Sequence, residues 1–315
     1  MVIVIFRLQL YMFELGGGST LKKLATSVLF IVSLLFMLCS CSTVGNEPKN
    51  KETVRKAVKE FSSEIKLLNF EDEEIQEWHE LAKGFVSNNE VSKGIYRHLN
   101  KIINEIGIVK EGNVVIDLGS WVGIDCILLR QIVVGDDGKV IGVDINEPVN
   151  VLARKYSEHF GYDNVEFILG DIRELPIDDN TADVVISKNT LSFVAEKEKV
   201  FSEIFRVLKC GGVCYINDII VWEKNFDLID NLKNDAWYDD NHTINRSIRE
   251  EGYLEILERI GFKNIKIEIR RLGIISDKGK FLWHRTWIHR FRYRNKFVAA
   301  HAFIYAEKKN IENIK

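Results

Sequence analysis

Acidic residues and glycines recur where apolar segments end in the middle of this 315-residue chain. The run VVIDLGSWVG places Asp117 at the end of a β-rich segment, with Gly119, Ser120 and Gly123 in the turn before a helical pattern. Glycines let the backbone of such a turn approach a ligand closely, because no Cβ stands in the way. Trp121 stands where a third glycine is expected. The turn therefore has the composition of a loop that cradles a nucleotide-like ligand.

Two further apolar segments end in residues that suit a nucleoside. Asp144 closes KVIGVD and is followed by Ile145, and a carboxylate at that place typically accepts hydrogen bonds from both ribose hydroxyls. The segment LGDI supplies Gly170, Asp171 and Ile172. There the Asp171 carboxylate can accept from an adenine amino group, and Ile172 can pack on the ring.

A fourth apolar run, ADVVIS, leads into Ser187, Lys188 and Asn189, which we expect to face the reacting end of the ligand. The segment before the last predicted helix contains the candidates for a general base, which are Tyr238, Asp239, Asp240 and His242. For that WYDDNH segment we favour a solvated loop over a catalytic one.

The elements that position these residues alternate between strand and helix patterns. Strands that are apolar throughout and separated by helices indicate a parallel sheet covered on both faces. We therefore predict an α/β fold, a doubly wound Rossmann-like seven-stranded sheet, mostly parallel, with an antiparallel C-terminal strand pair. Ligands bind such sheets at the carboxyl ends of the strands. Helical patterns predict an N-terminal cap over residues 53–110, ahead of the domain at 111–309 and a tail at 310–315.

The sequence resembles class I S-adenosylmethionine-dependent methyltransferases in five motifs, which occur in order over about residues 95–275. These are VVIDLGSxxG, VIGVDI, VEFILGDI, LPIDDNTADVVISKNTLSF and VFSEIFRVLKCGG. The resemblance implies S-adenosylmethionine as cofactor, bound by the residues named above from Asp117 to Asn189, and methyl transfer to a small-molecule or lipid-like acceptor. Some families that resemble catechol-type O-methyltransferases carry an aromatic residue at the position of Trp121, so we expect it to reshape the pocket wall without closing it.

Within that class the local sequence is similar to that of arsenite and ubiquinone/menaquinone-type methyltransferases. Arsenite enzymes bind their substrate through several cysteine thiolates, and Cys126 alone matches such a position here, with Asn189 in place of another. Arsenite is therefore disfavoured as the acceptor. Cys210 replaces a proline that is usual before Gly211-Gly212, in a turn where we expect little consequence. The alternative function is a catalytically inactive methyltransferase-fold binding protein of the cell envelope.

We expect residues 1–41 to be a targeting segment and not part of the folded domain. LKKLATSVLFIVSLLFMLCSC resembles a bacterial lipoprotein signal, with two lysines before a short apolar stretch and Cys41 as the lipidated residue. A membrane-spanning helix is the alternative, although the run is short for one. One hypothesis is that translation begins at Leu21, which leaves residues 1–20 untranslated, and residues 42–52 are expected to be a tether. We expect a membrane-anchored envelope lipoprotein, with a cytoplasmic protein as the alternative.

Composition narrows the partners. A formal net charge of −3 makes nucleic acid an unlikely ligand. No cysteine or histidine grouping has zinc spacing, so we expect no metal. The stretch 280–297 alternates basic and aromatic residues, which suits contact with anionic lipid headgroups, an anionic acceptor or single-stranded nucleic acid. We favour a strand with one core face and one solvated basic face.

Overall fold

The computed structural model describes residues 51–221, 249–275, 281–283 and 297–309. Three helices come first: α1 at Lys51–Ile65, α2 at Glu73–Ser87 and α3 at Asn89–Asn100, the last continuing into a π-helical turn. Helix α2 begins at Asp72, whose carboxylate accepts the N–H of Ile75 at 2.9 Å. These helices fall in the segment that the sequence pattern marked as a helical cap.

A single mixed sheet follows. Its strands, in chain order β1 to β8, are Val114–Leu118, Lys139–Asp144, Val165–Leu169, Ala182–Lys188, Leu208–Val221, Lys263–Ile275, Phe281–Trp283 and Phe297–Glu307. Their spatial order is β3-β2-β1-β4-β5-β8-β6-β7. Strands β1 to β5 are parallel, whereas β8 lies between β5 and β6 and is antiparallel to both.

The doubly wound Rossmann-like fold is therefore confirmed. The seven strands expected from the sequence are all present, and the three-residue β7 adds an eighth at one edge. Strand β7 falls inside the basic-aromatic stretch 280–297, and the rest of that stretch lies outside the described residues apart from Phe297. The predicted antiparallel C-terminal pair is β6 and β8.

Helices cover both faces of the sheet. The remaining helices are α4 at Ile124–Leu129, α5 at Glu147–Phe160, α6 at Lys197–Val207 and α7 at Glu250–Ile260. Neighbouring strand residues point to opposite faces, so Val184 joins a core with α1 to α5, and Val185 joins a core with α6 and α7. The cap helices thus pack on the same face of the sheet as α4 and α5.

The strand order fixes where a ligand site can form. The chain passes from β1 outward to β3 and then returns to β4 on the other side of β1, so the carboxyl ends of β1 and β4 flank a crevice. Leu118 pairs with Ser187 and also with Val143, which brings the loops after β1, β2 and β4 side by side.

Several predictions concern residues outside the described ranges. These are the signal segment 1–41 with Cys41, most of the tether 42–52, and the base candidates Tyr238, Asp239, Asp240 and His242. Within the ranges that are described, none of the helices has the length and apolar character needed to cross a membrane.

Candidate active site

A cavity of about 620 Å³ opens at the carboxyl ends of β1, β2 and β4 and beside the loop after β3. In the described chain it is lined by every predicted site residue except Gly123 and Ser187. Phe85 and Ile95 reach it from the cap helices, and residues 193–196 close it from the segment after β4. The cavity is therefore bounded partly by the sheet and partly by the cap.

The glycine loop after β1 adopts a conformation that depends on its glycines. Gly119 has φ 74° and its N–H donates to the carbonyl of Val143 at 2.8 Å, which draws the loop against β2. A Cβ at Gly119 would lie 2.7 Å from the Cβ of Thr190 and closer still to the other side-chain atoms of that residue. Gly123 has φ 75°, and a Cβ there would lie 2.5 Å from Phe167 Cε1 and closer still to Cζ of the same ring. Gly123 thus packs the start of α4 against the sheet, outside the cavity.

Trp121 holds the backbone conformation of the glycine that it replaces. Its φ is 49°, a left-handed value that is uncommon for a bulky residue. Two contacts fix it there: its N–H donates to Asp144 Oδ2 at 3.0 Å, and its indole meets the Phe85 ring edge-on at 5.2 Å between centroids. The tryptophan therefore links the loop to helix α2 of the cap.

The residues after β2 and β3 form the outer part of the cavity. Asp144 Oδ1 accepts the N–H of Asn146 at 3.0 Å, and burial raises the pKa of the Asp144 carboxyl. Ile145 is 70% exposed although it is strongly apolar, so it offers an uncovered surface to a flat ligand. Gly170 stands in the wall, where a Cβ would meet Pro176 Cδ at 2.9 Å.

Asp171 is already engaged by a residue that sequence reasoning missed. Its two carboxylate oxygens accept from Arg173 Nε at 3.0 Å each, and Oδ1 also accepts the Arg173 N–H at 2.8 Å. These hydrogen bonds lower the pKa of Asp171. Arg173 also donates to Glu196 Oε2 at 2.5 Å, so it connects the β3 loop with the segment before α6. The sequence signal that could have revealed this pairing is the basic residue Arg173 two positions after Asp171.

The inner end of the cavity holds a cluster of buried charges. The Lys188 ammonium donates to the Asp125 carboxylate, and His98 Nε2 lies 3.9 Å from the same Asp125 oxygen. Asp117 lies beside them; burial and the charge of Asp125 raise its pKa to about 7, and the Cys126 thiol donates to its Oδ2 at 3.4 Å. Asp125 and His98 were not among the predicted site residues, because nothing in their spacing shows that α3 and α4 meet Lys188.

The three predicted residues after β4 have different places. Ser187 is buried and its hydroxyl donates to the Leu118 carbonyl at 2.9 Å, so it joins β4 to β1 and does not line the cavity. Lys188 and Asn189 do line it. Asn189 has φ 56°, and its buried Oδ1 has no hydrogen-bond partner in the described structure. Ile172 lines the cavity beside Asp171.

Comparison with known proteins identifies the family. Residues 109–272 match a family model described as a methyltransferase domain, which is just over half of the chain. The chain belongs to the methyltransferase domain family. The matched residues include β1 to β5, α4 to α7 and every predicted cofactor-binding residue, and the family resemblance drawn from the five motifs is thereby confirmed.

Relatives of this methyltransferase-domain chain include an arsenite methyltransferase of Halobacterium salinarum, 43% identical over 109 residues, which are 35% of this chain and 28% of the relative. A ubiquinone/menaquinone biosynthesis C-methyltransferase of Salmonella arizonae is 35% identical over 137 residues, 43% of this chain and 54% of the relative. The chain therefore spans about half or less of the curated relatives it matches.

Among solved structures, an arsenic(III) S-adenosylmethionine methyltransferase from Chlamydomonas reinhardtii superposes with a TM-score of 0.52 and 20% identity, over 70% of this chain and 75% of that one. The likeness supports the fold of this methyltransferase-domain chain. In its described part, no group of three or more histidine, cysteine or acidic side chains is arranged to hold a metal ion.

Proposed function

We propose that this chain binds S-adenosylmethionine in the cavity and transfers its methyl group to a small-molecule or lipid-like acceptor. One observation carries the proposal: the cavity brings together the glycine loop at Asp117 and Gly119 with Asp144 and Asp171, from three separate segments of a methyltransferase-domain fold. The relatives named above, which by name are an arsenite methyltransferase and a C-methyltransferase of ubiquinone/menaquinone biosynthesis, support the same class of reaction.

The residues present fit that cofactor. The oxygen atoms Ser120 Oγ, Asp125 Oδ1 and Asn189 Oδ1 are buried in residues that line the cavity, and none has a partner among the described residues. Buried polar atoms are nearly always hydrogen-bonded, so a ligand with donor groups would complete this site. Of the cavity carboxylates, Asp125 is already paired with Lys188, and those of Asp117 and Asp144 favour a cationic group of the ligand, which suits a sulfonium.

Methyl transfer places modest demands on the protein. The bound cofactor supplies a methyl group on a positively charged sulfur, which an acceptor displaces in line. The chain's own residues hold the reactants in register and exclude water, and this alignment can supply much of the acceleration. In this proposal Asp144 and Ile145 bind and orient the nucleoside, and the Trp121, Phe85 and Phe193 rings give the cavity an apolar lining.

The cysteines argue against arsenite as the acceptor. The Cys126 thiol is buried, donates to Asp117 and has its pKa raised well above the usual value, first by burial and then by the Asp117 charge. It does not line the cavity in the described structure. Cys214 is buried and Cys210 is exposed. The apolar wall built from Phe85, Ile95 and Phe193 instead favours an organic acceptor with a substantial apolar part.

Titration calorimetry with S-adenosylmethionine and S-adenosylhomocysteine tests the proposal. We expect dissociation constants between about 1 μM and 1 mM for the purified chain, the range in which enzymes commonly hold their ligands. Asp144→Asn should weaken binding by about 10- to 150-fold, because one charged hydrogen bond is worth about 1.5–3 kcal/mol. Asp137→Asn is the matched control, since Asp137 is exposed and lies outside the cavity lining. Absence of heat with both ligands would refute the proposal.

Turnover distinguishes an enzyme from an inactive binding protein. Formation of S-adenosylhomocysteine with a panel of phenolic, quinol and amine acceptors supports the enzyme. Cofactor binding without turnover of any acceptor supports the inactive envelope protein.

We further propose that the chain is anchored to the membrane as a lipoprotein through Cys41. The lysines and short apolar stretch of residues 21–41 support this location. Metabolic labelling with a radioactive fatty acid tests it: label should be incorporated into the wild-type protein and lost from Cys41→Ala. Equal labelling of the two proteins contradicts the assignment.

A further inference from the structure

The ion pair at the inner end of the cavity has a third member on the cap. The side chains of Lys188 and Asp125 are 14% and 7% exposed, and His98 on α3 is 2% exposed. His98 Nε2 lies 3.9 Å from Asp125 Oδ2, and neither ring nitrogen has a hydrogen-bond partner among the described residues. An imidazole buried without any partner is unusual, because such groups normally find one.

The histidine is uncharged while the ion pair is intact. Burial, followed by the positive charge of Lys188, lowers the pKa of His98 to about 4. Lys188 alone therefore compensates the buried Asp125 carboxylate at neutral pH. Among the described residues, the other titratable groups around the pair are Asp117 on β1, Cys126 on α4 and Tyr215 on β5, whose ring centroid lies 6.1 Å from that of His98.

Lys188 is also the cation best placed to meet an anionic ligand group. Among the described residues that line the cavity, the cations are Lys188 and Arg173, and Arg173 already bridges Asp171 and Glu196. If a ligand carboxylate draws Lys188 toward the cavity, Asp125 keeps its charge and loses its counter-ion. A buried charge without a partner is strongly unfavourable, so a replacement cation is required.

We propose that Lys188 binds a carboxylate of the ligand, and that His98 then takes up a proton from solvent and replaces Lys188 as the counter-ion of Asp125. The distance from His98 Nε2 to Asp125 Oδ2 is already within ion-pair range. Departure of the lysine removes one of the causes that keep the histidine neutral. Ligand binding is thereby coupled to proton uptake by a residue of the cap. The inference rests on the proposed function.

The carboxylate has two possible sources, the amino-acid end of the cofactor or the methyl acceptor. S-adenosylhomocysteine carries that amino-acid end, and 5′-methylthioadenosine lacks it. Benzoate, added to the chain saturated with methylthioadenosine, serves as a carboxylate probe for the acceptor side. Proton uptake with S-adenosylhomocysteine alone assigns the cofactor, uptake with benzoate alone assigns the acceptor, and either result supports the proposal.

Calorimetry at pH 7 in phosphate and in Tris measures the uptake, because the two buffers differ in heat of ionisation. We expect about 0.5–1 proton taken up per ligand bound by the full-length wild-type chain. His98→Gln should abolish the uptake and weaken binding about tenfold, the size of effect expected when a binding-competent state is disfavoured. His159→Gln is the matched control, since His159 pairs with Glu64 at the surface and should leave the uptake unchanged.

Three results of the calorimetry overturn the proposal. Binding without proton uptake in every arm refutes the switch while leaving the proposed function standing. Uptake that persists in His98→Gln and disappears in Asp117→Asn assigns the proton to Asp117 instead. Absence of binding by both S-adenosylmethionine and S-adenosylhomocysteine overturns the proposed function and this inference together.

A ligand-free measurement keeps the test independent of how well His98→Gln folds. Imidazole ¹⁵N spectra of Lys188→Gln should show His98 protonated at pH 7, because the variant lacks the competing cation beside Asp125. The wild-type spectrum should show it neutral. A neutral His98 in a folded Lys188→Gln variant contradicts the proposal.

Discussion

Replacing Gly119 by alanine tests whether the loop after β1 is built around its glycine. Gly119 has φ 74°, and an added Cβ would lie 2.7 Å from the Thr190 Cβ, nearer than real Cβ contacts occur. Gly112 is a matched control, since its φ is 75° and no described atom lies within 4 Å of a Cβ built there. Both substitutions force alanine into the left-handed region, and Gly119→Ala alone adds a collision.

The two contributions can be separated in magnitude. An L-residue in the left-handed region costs roughly 1–2 kcal/mol. Overpacking a filled site costs about 1–3 kcal/mol more. We therefore expect Gly112→Ala to lower the free energy of unfolding by about 1–2 kcal/mol and Gly119→Ala by about 2–5 kcal/mol. Because the Thr190 side chain must move, Gly119→Ala should also weaken S-adenosylhomocysteine binding at least about tenfold, and Gly112→Ala should leave it unchanged.

Urea unfolding and titration calorimetry on the same preparations measure both effects. A second substitution, Thr190→Gly, removes the atoms that collide and should recover most of the excess loss in Gly119→Ala. Equal destabilisation by Gly119→Ala and Gly112→Ala, together with unchanged ligand affinity, would show that the close approach between the β1 and β4 loops is not what requires a glycine.

Three further substitutions probe contacts around the cavity. Trp121→Gly should bind S-adenosylhomocysteine as well as or better than wild type, and complete loss of binding in calorimetry would mean that the indole is a ligand contact. Trp121→Gly should also be more stable to urea than Trp121→Ala by about 1 kcal/mol, because glycine alone accepts φ 49° freely. Asp117→Asn should gain about 1–3 kcal/mol of stability at pH 8 and little at pH 4, because between about pH 4 and 7 the folded state keeps a proton that the unfolded chain has already released. If the substitution shifts the urea midpoint equally at the two pH values, this sign is contradicted. Tyr156→Phe should lower the free energy of unfolding by about 1–2 kcal/mol in the same assay, because it removes a buried hydrogen bond: His79 Nε2 lies 2.9 Å from the Leu68 carbonyl and must donate to it, so Nδ1 accepts from the Tyr156 hydroxyl at 2.7 Å. An unchanged urea midpoint would mean that this bond does not hold the cap.

The sequence predicts those parts of the site that follow from the topology of a parallel sheet. Asp144 and Gly119 end or follow strands, and the carboxyl ends of parallel strands meet at one edge, so their proximity could be predicted without coordinates. Lys188 could be placed there for the same reason. The expectation for Ser187 did not match its position, because its hydroxyl turns to the Leu118 carbonyl within the sheet.

Contacts between distant segments could not be predicted in this way. Asp125 and Lys188 are 63 residues apart, and His98 reaches them from the cap, so the cluster depends on how α3 packs over α4. The position of β8 between β5 and β6 is another such feature, since a strand pattern predicts a strand without its neighbours. Periodicity fixes the face of an element, whereas tertiary packing decides what that face meets.

The left-handed residues show where the chain tolerates strain. Four non-glycine residues in the described structure have positive φ, and Asn180, Asn189 and Asn264 belong to a type that adopts this region readily. Trp121 is the exception, and for a bulky side chain the conformation costs about 1–2 kcal/mol. It persists because the Asp144 carboxylate holds the Trp121 N–H and the cap holds the indole. A glycine would relieve the strain but leave the cap without its contact to the loop. We therefore interpret Trp121 as the residue that joins the cap to the cavity wall.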